Sequence, residues 1–381
     1  MDQTLIKKGI HETGIIFKQI KKDRQFRQEL AKQSHYWFFK IYMGHHIIYP
    51  LAFFHKQMLA ITECSSYKLV GIMGFRESGK TTIMNTSYIL WSIIGRLQKK
   101  FILIISRSKK QAKIHLENIK YELEYNESLK NDSGPLIMEK NDSGSSHIFL
   151  KKFGAKIMTI GMNQQAIRGL KHNQYRPDLI ICEDFEDGQS VKNFKETKRI
   201  CEWFKNEVMP SGSKSSNIVV LGNFLNEFSF IMKLRKEIRQ NRIADAAFCV
   251  YPLLDDYDKN LWPEKFTPED IEKLRKSQSD ELVWAREYLL LPYPKSFRYV
   301  SHDTYEKYFG KNKNEGNTKN SEIEYCINAP KYEVFCGPNK EIITTKEWNN
   351  LSYREKIEVA YSTSYQGDKL VEKMKNVPLN P

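Results

Sequence analysis

The chain has 381 residues, of which 40% are hydrophobic, 12% aromatic and 28% charged. This composition is too apolar for an intrinsically disordered protein and too interrupted by charge for a membrane protein, and the length predicts one large core with additions or two domains. The formal net charge of +14 favours a polyanionic partner, because Lys and Arg that neutralise backbone phosphates release counterions.

Targeting and metal-binding signals are weak. No apolar run reaches the ~18 residues that span a bilayer, and the N-terminal segment lacks the features of a signal peptide, so we expect a cytoplasmic protein without membrane contact. The six cysteines form no CxxC pair, which argues against a disulfide framework or a zinc knuckle. Five of the nine histidines lie in the first 55 residues, but their spacing matches no metal-binding motif and predicts no metal site there.

Residues 1–60 are predicted to form an N-terminal helical region. Basic side chains come first and an aromatic cluster follows: Lys7, Lys8, Lys18, Lys21, Lys22, Arg24 and Arg27, then Tyr36, Trp37, Phe38, Phe39 and Tyr42. The basic residues could contact DNA, or they could form a solvated helix face ahead of side chains that pack in the core.

Residues 61–295 are predicted to form an α/β domain. Short apolar runs at 67–73, 101–106, 157–160, 179–182 and 218–221 are typical of buried parallel strands. The segments 79–97, 109–129 and 193–207 are long enough for crossover helices. We therefore predict a doubly wound, mostly parallel sheet with helices on both faces. For residues 296–381 we predict a linker, polar and low in complexity at 311–322, and the incomplete start of a C-terminal domain.

A phosphate loop is the sharpest motif. The residues Gly74, Phe75, Arg76, Glu77, Ser78, Gly79, Lys80 and Thr81 fit the pattern GxxxxGK[ST], or Walker A, between a predicted strand and a predicted helix. Backbone amides and the positive end of the following helix would cradle a triphosphate. Lys80 would neutralise the β- and γ-phosphates, Thr81 would offer its hydroxyl to Mg²⁺, and Thr82 would add a phosphate contact.

Two carboxylates end the apolar strand at 179–182. We assign Glu183 to the metal and Asp184 to the attacking water, because ligands meet parallel sheets at the carboxyl ends of their strands. The alternative is a strand that ends in solvated acids. Downstream, the strand at 218–221 runs into Asn223, whose amide could sense the γ-phosphate. Arg76 and Arg168 are candidates for the cation that stabilises the transition state, and either could instead form a structural salt bridge.

Taken together, these motifs resemble the ATPase domain of the phage terminase large subunit. The resemblance covers roughly residues 35–295. It rests on FRESGKTT at 75–82, on the strand and long helix at 102–123, and on IRGLKHNQYRPDLIICEDFED at 167–187. VVLGN at 219–223, WPE at 262–264 and REYL at 286–289 lie where that family has its coupling motif and the end of the domain, and the segment 49–55 resembles the region ahead of the loop.

The resemblance implies a P-loop NTPase that hydrolyses ATP with Mg²⁺ and packages double-stranded DNA into a procapsid. It also implies a homo-oligomeric ring at the portal protein, a terminase small subunit that finds the DNA, and a C-terminal nuclease. The alternatives are a helicase-like or repair translocase with the same core, and a truncated remnant that binds nucleotide without turnover.

The sequence departs from the family at three points. The family most often has Asp where Glu183 stands, and Thr or Ser near Asn223. Around residues 357–368, Ser362 or Thr363 stands where the nuclease would carry a metal-binding Asp, and only thirteen residues follow Asp368. A two-metal site needs further carboxylates, so we expect no nuclease activity from this chain alone.

Overall fold

The computed structural model describes residues 18–134, 136, 146–162, 167–278 and 280–292, together with the backbone of strands at 333–336 and 341–344. The chain is helical at 18–22. The further α-helices are α1 Arg24–Gln33, α2 His35–Tyr42, α3 Phe53–Glu63, α4 Tyr88–Ile94, α5 Lys109–Tyr125, α6 Glu127–Ser133, α7 Phe194–Trp203, α8 Phe230–Arg239, α9 Pro268–Ser277 and α10 Glu281–Glu287, with a short helix at Met209–Ser211. π-Helical turns at Thr82–Ser87 and Phe204–Val208 adjoin α4 and α7.

One sheet organises the chain. Its strands are β1 Leu69–Gly74, β2 Phe101–Ser106, β3 His147–Leu150, β4 Ala155–Gly161, β5 Leu179–Glu183, β6 Asn217–Gly222, β7 Ala246–Tyr251, β8 Glu333–Cys336 and β9 Glu341–Thr344. The described strands lie in the order β3-β4-β2-β5-β6-β1-β7-β8-β9. The six from β4 to β7 are parallel, whereas β3, β8 and β9 pair antiparallel with their neighbours.

Both faces of the sheet are covered by helices. Side chains in β1 alternate between two buried clusters: Val70 and Ile72 belong to one, and Leu69 and Met73 belong to the other. A strand buried on both faces reads as a continuous apolar run, which explains why β1 and β2 are recognisable in the sequence. The predicted fold class, a doubly wound and mostly parallel α/β sheet, is confirmed. The loop that connects β1 to the following helix is in the position of the phosphate loop in the P-loop NTPase fold.

The five predicted strands all occur in the sheet, with bounds that differ by at most a few residues. The predicted helix at 109–129 is two helices, because Asn126 interrupts it and its side chain caps the second: the Leu129 N–H donates to Asn126 Oδ1 at 3.0 Å. The antiparallel edge strand β3 and the parallel strand β7 were not predicted.

Gly71 in β1 faces the ring of Phe248 in β7. A methyl group at this position would lie 2.3 Å from Phe248 Cδ2 and 2.5 Å from Cε2. The ring is buried in a close-packed core and has no room to withdraw. We expect Gly71→Ala to lower the free energy of unfolding by about 2 to 3 kcal/mol, as for other overpacked cores, measured by urea denaturation.

The matched control for that experiment is Gly188→Ala, since a methyl group there meets no atom within 4 Å. Its effect should stay within about 0.5 kcal/mol. Equal unfolding midpoints for the two variants would mean that Phe248 can move aside at no cost.

The N-terminal helices pack directly on the sheet domain. Phe38, Phe39 and Tyr42 of α2 belong to the same buried cluster as β1 and β2. Arg27 donates two hydrogen bonds to Asp132, at 2.6 and 2.7 Å, and Arg24 lies 3.4 Å from the same carboxylate. These two arginines thus form ion pairs within the fold, and a contact between the basic residues and DNA stays a prediction. The domain boundary near residue 60 stays a prediction.

His35, the first residue of α2, is fully buried against α3 and α4. Thr62 donates its hydroxyl proton to Leu59 O at 2.6 Å, so its oxygen accepts from His35 Nδ1 at 2.7 Å. The other ring nitrogen, Nε2, therefore accepts from the Ser87 hydroxyl at 2.9 Å. Burial lowers the pKa of His35 from 6.5 to about 3, so the imidazole is neutral in the folded protein.

Protonation of His35 should destabilise the fold in acid. Because the unfolded state binds the proton first, the stability that His35 gives is complete above pH 6.5 and is lost as pH falls towards 3, by up to about 1.4 kcal/mol per pH unit. Glu63, whose pKa burial raises to about 7, has the opposite dependence. The measurement is thus the difference in the free energy of unfolding between the wild type and His35→Gln from pH 7 to 4.5. The wild type should lose more stability than the variant as the pH falls, and parallel curves would contradict this prediction.

In the described part of the chain, no helix has the length and apolar character needed to cross a membrane. The polar segment 311–322 and the segment 357–368 lie outside the described residues, so the predictions of a linker and of a missing nuclease stay predictions. Strands β8 and β9 form an antiparallel hairpin beside β7.

Candidate functional site

The loop Gly74–Thr81 leaves the carboxyl end of β1 and folds tightly back on itself. Glu77 and Gly79 have positive φ angles of 65° and 76°, a backbone region that L-residues rarely adopt. At Gly74, a Cβ atom would lie 2.9 Å from Ser78 Oγ, so glycine is needed for the close approach. The Ser78 hydroxyl is buried and has no hydrogen-bond partner in the described residues, which leaves a donor directed into the loop.

Backbone hydrogen bonds anchor the loop from several elements. The Phe75 N–H donates to Tyr251 O at the end of β7, and the Arg76 N–H donates to Glu287 O at the end of α10, both at 2.9 Å. His55 of α3 bonds to the loop from the other side, with Nε2 at 2.9 Å from Ser78 O. Since its Nδ1 accepts from the Ala52 N–H at 2.9 Å, Nε2 carries the proton and donates.

Lys80 is buried, with 8% of its surface exposed. Burial lowers the pKa of its ammonium group, while the carboxylates of Glu183, Asp184 and Glu287 oppose that shift and Arg76 adds to it. A buried cation beside three carboxylates is stabilised by them and remains available to an anion. Lys80 therefore lies near Arg76, Glu183, Asp184 and Glu287, and its role at the phosphates stays a prediction.

Glu183 is buried at the end of β5, where two side chains donate hydrogen bonds to its carboxylate and a third lies nearby. The Thr81 hydroxyl donates to Glu183 Oε1, Asn85 Nδ2 donates to Oε2 at 2.5 Å, and His115 Nε2 lies 3.6 Å from Oε2. The alternative of a solvated acid at a strand end is wrong for this residue. Thr81 and Glu183 bring a hydroxyl and a carboxylate oxygen together, and this is the hard donor set that Mg²⁺ prefers.

Asp184 follows Glu183 and turns out of the strand. Its φ angle is 51°, which Asp tolerates better than most residues, and its N–H donates to Leu221 O of β6 at 3.3 Å. The residue keeps an exposed surface, while the protein atoms around its carboxyl partly desolvate that group. That desolvation and the charge of Glu183 both raise the pKa of Asp184, so its carboxylate is more basic than an ordinary aspartate.

Asn223, just after β6, connects to the phosphate loop through Glu287. Its Nδ2 donates to Glu287 Oε2 at 3.2 Å, and the backbone oxygen of Glu287 accepts from Arg76. Asn223 Oδ1 is buried without a partner in the described residues. The order β5-β6-β1 places the ends of three adjacent strands, and the side chains that follow them, at one edge of the sheet.

The two arginine candidates lie in different surroundings. Arg76 is exposed on the loop itself and is close enough to influence the pKa of Lys80. Arg168 donates to Asn206 O at 2.6 and 3.1 Å and lies 3.4 Å from Glu207 Oε2, which ties its loop to the π-helical turn after α7. The structural salt bridge is thus present for Arg168, and a role for either arginine in catalysis stays a prediction. Thr82 begins the π-helical turn that follows the loop.

Four residues of the site were not predicted. Asn85 stands four residues after Thr81, on the same face of the helical segment, so its spacing could have identified it. His55, His115 and Glu287 come from α3, α5 and α10, and only tertiary packing brings them to the loop.

Comparisons with known proteins found similarity to solved structures alone. No family model and no curated protein matches this chain. Among solved structures it is similar to the HK97 bacteriophage large terminase (14% identity, TM-score 0.38) and to the large terminase of a thermophilic bacteriophage in complex with ADP (10%, 0.42). It is also similar to the ATPase domain of a Thermus phage large terminase (14%, 0.40).

The coverage of these similarities differs. They span 50%, 64% and 61% of this chain, and 36%, 54% and 91% of the respective solved chains. The chain thus aligns with only about a third to a half of the two longer terminases. These three solved structures are two large terminases and the ATPase domain of a third.

Proposed function

We propose that this chain binds and hydrolyses ATP with Mg²⁺ and uses the cycle to move double-stranded DNA, as the motor subunit of a viral DNA-packaging machine. The observation that carries the hydrolytic part is the meeting of the phosphate loop with Glu183 at one edge of the sheet. Thr81 and Asn85 hold the Glu183 carboxylate there. The motor part rests on the sequence resemblance and on the net charge of +14.

Nucleotide binding is assigned to the loop and Lys80. The buried Lys80 ammonium and the unpartnered Ser78 hydroxyl are groups that triphosphate oxygens would satisfy. Glycine at positions 74 and 79 lets the backbone approach the phosphates closely. The left-handed backbone at Gly79 directs the chain into the following helix, whose positive end favours the anion.

Thr81 and Glu183 would hold the magnesium ion, which, when bound, neutralises charge on the β- and γ-phosphates. Their oxygens already lie in contact. Asn85 orients the Glu183 carboxylate from its other oxygen, Oε2, so the carboxylate is already fixed before the ion binds. Replacement of the family's usual Asp by Glu183 is compatible with this role because the longer side chain is fixed by these partners.

Asp184 would accept the proton of the attacking water. This role is supported by its raised pKa, by its position next to Glu183 after β5, and by its electrostatic influence on Lys80. Asn223 and Glu287 would then transmit the state of the γ-phosphate, since Glu287 contacts Asn223 through its carboxylate and the loop through its backbone oxygen.

Duplex DNA, a terminase small subunit, a portal protein and copies of this chain in a ring are the proposed partners. Contacts to DNA should be mostly to phosphates and should depend little on base sequence. Affinity would then fall steeply with salt.

The test is ATP hydrolysis with Mg²⁺, measured alone, with linear duplex DNA and with single-stranded DNA of the same length. Stimulation of ATP hydrolysis by duplex DNA would support the proposed DNA-packaging motor. Stimulation by single strands alone would favour a helicase-like or repair translocase. Nucleotide binding without turnover, even with small subunit and portal present, would indicate an inactive remnant.

A further inference from the structure

Two neighbouring histidines contact one buried glutamate, Glu122, near the C-terminal end of α5 and two helical turns beyond His115. His45 Nε2 and His46 Nε2 lie 2.8 and 2.9 Å from the same oxygen, Glu122 Oε1. The ligand atoms of the three residues lie within 4.8 Å of one another, and the centroids of the two imidazole rings are 4.2 Å apart. Two imidazole nitrogens and a carboxylate oxygen thus converge on one point.

The local structure holds this arrangement in place. His45 and His46 end the 3₁₀ turn Gly44–His46, which follows α2, and Glu122 lies on α5 with only 2% of its surface exposed. Asn126 Nδ2 donates to Glu122 Oε2 at 2.8 Å and to Tyr42 O at 2.7 Å. The second carboxylate oxygen is therefore occupied, and the first is left directed at the imidazoles.

The chemistry of the three groups suits a transition-metal cation. Neutral imidazole with carboxylate is a donor set for zinc and its neighbours, whereas Mg²⁺ and Ca²⁺ prefer oxygen alone. Zinc–ligand bonds of about 2.0–2.2 Å in tetrahedral geometry place ligand atoms about 3.4 Å apart. The two contacts to Glu122 would lengthen by about half an ångström, which the half-exposed imidazoles allow.

We propose that His45, His46 and Glu122 form a binding site for a divalent transition-metal cation, with Zn²⁺ as the first candidate and water in the remaining coordination positions. To bind the cation, each Nε2 must present its lone pair: an imidazolium releases its Nε2 proton to solvent, and a neutral ring releases the Nε2 proton and takes one up at Nδ1, so that both imidazoles coordinate as neutral ligands. The cation would fasten the turn after α2 to α5. Because α5 also carries His115, which lies 3.6 Å from the carboxylate of Glu183, the cation would fix a helix that reaches the phosphate-loop site.

The site is tested by titrating metal-free protein with Zn²⁺ by isothermal calorimetry, in excess Mg²⁺ so that the phosphate-loop site is saturated. We expect one Zn²⁺ per chain in the wild type. His46→Ala and Glu122→Gln should each weaken binding at least about tenfold, and the second variant keeps the size of the side chain and its capacity to hydrogen-bond. His172→Ala, outside the cluster, should bind as the wild type does.

A second readout guards against misfolded variants. Co²⁺ bound to two imidazoles and a carboxylate absorbs in the visible region, so the wild type and His172→Ala should develop that spectrum and the cluster variants should not. Circular dichroism checks that each variant is folded. If folded His45→Ala/His46→Ala protein binds Zn²⁺ as tightly as the wild type, or if the wild type binds none, the proposal is wrong.

Discussion

Replacement of Lys80 by alanine is expected to lower Mg²⁺-dependent ATP turnover at least about a thousandfold and to weaken nucleotide binding, by analogy with the loss of charge-stabilising groups in other phosphoryl-transfer sites. Lys80 is the buried cation among Glu183, Asp184 and Glu287. Without it, three carboxylates would face the triphosphate at the edge of the sheet, and their repulsion would add to the lost attraction.

The measurement combines steady-state hydrolysis with the binding of a fluorescent ATP analogue. Lys110→Ala is a suitable control, because Lys110 is an exposed lysine in the first turn of α5. It should leave both quantities unchanged within about twofold, as expected for an exposed surface substitution. If Lys80→Ala, folded by circular dichroism, kept turnover within about tenfold of the wild type, the loop would not be the catalytic phosphate site.

The parallel strands, and the polar residues that follow them, could be predicted because the local sequence encodes each strand. A strand buried on both faces is a run of Ile, Val and Leu, and β2 has this form. Parallel strands must end at the same edge, so the carboxylates after β5 and Asn223 after β6 could be assigned to the loop after β1 without knowledge of the distances.

Strand β7 shows where this reasoning fails. Its sequence AAFCVY is followed by Pro252, Leu253 and Leu254, and an apolar run of this kind gives no periodicity that separates strand from helix or marks its end. Its place next to β1 depends on Phe248, whose ring fits against Gly71. That fit is a property of two distant segments and has no local signature.

The same limit applies to the site. Glu287 lies more than 200 residues after the phosphate loop, and neither its type nor its spacing distinguishes it from other surface acids. The histidine pair at 45 and 46 carried no metal-binding motif because its third partner, Glu122, belongs to another helix. Arg168, by contrast, was a candidate for the catalytic cation because of its motif, yet in the single chain it contacts Asn206 and Glu207. A role of Arg168 in the active site of a neighbouring subunit can be tested only in an assembly of several chains.

Replacement of Asp184 by asparagine should separate catalysis from binding. We expect turnover to fall about 10²- to 10⁴-fold, the usual contribution of a general base, while ATP still binds. Asparagine is the right substitution because, like aspartate, it tolerates the positive φ angle at this position. An alanine would add backbone strain and confuse the loss of the base with a change in the loop.

Asp187→Asn supplies the matched control. Asp187 lies three residues further along the same loop and pairs with Arg107, so the variant makes the same chemical change without touching Glu183. Its turnover should remain within about twofold of the wild type, since exposed ion pairs of this kind have small effects. If Asp184→Asn hydrolysed ATP normally while Glu183→Gln did not, the base would be Glu183 or a group that it positions. Glu183 would then need to release Thr81 and Asn85 before it could reach the water.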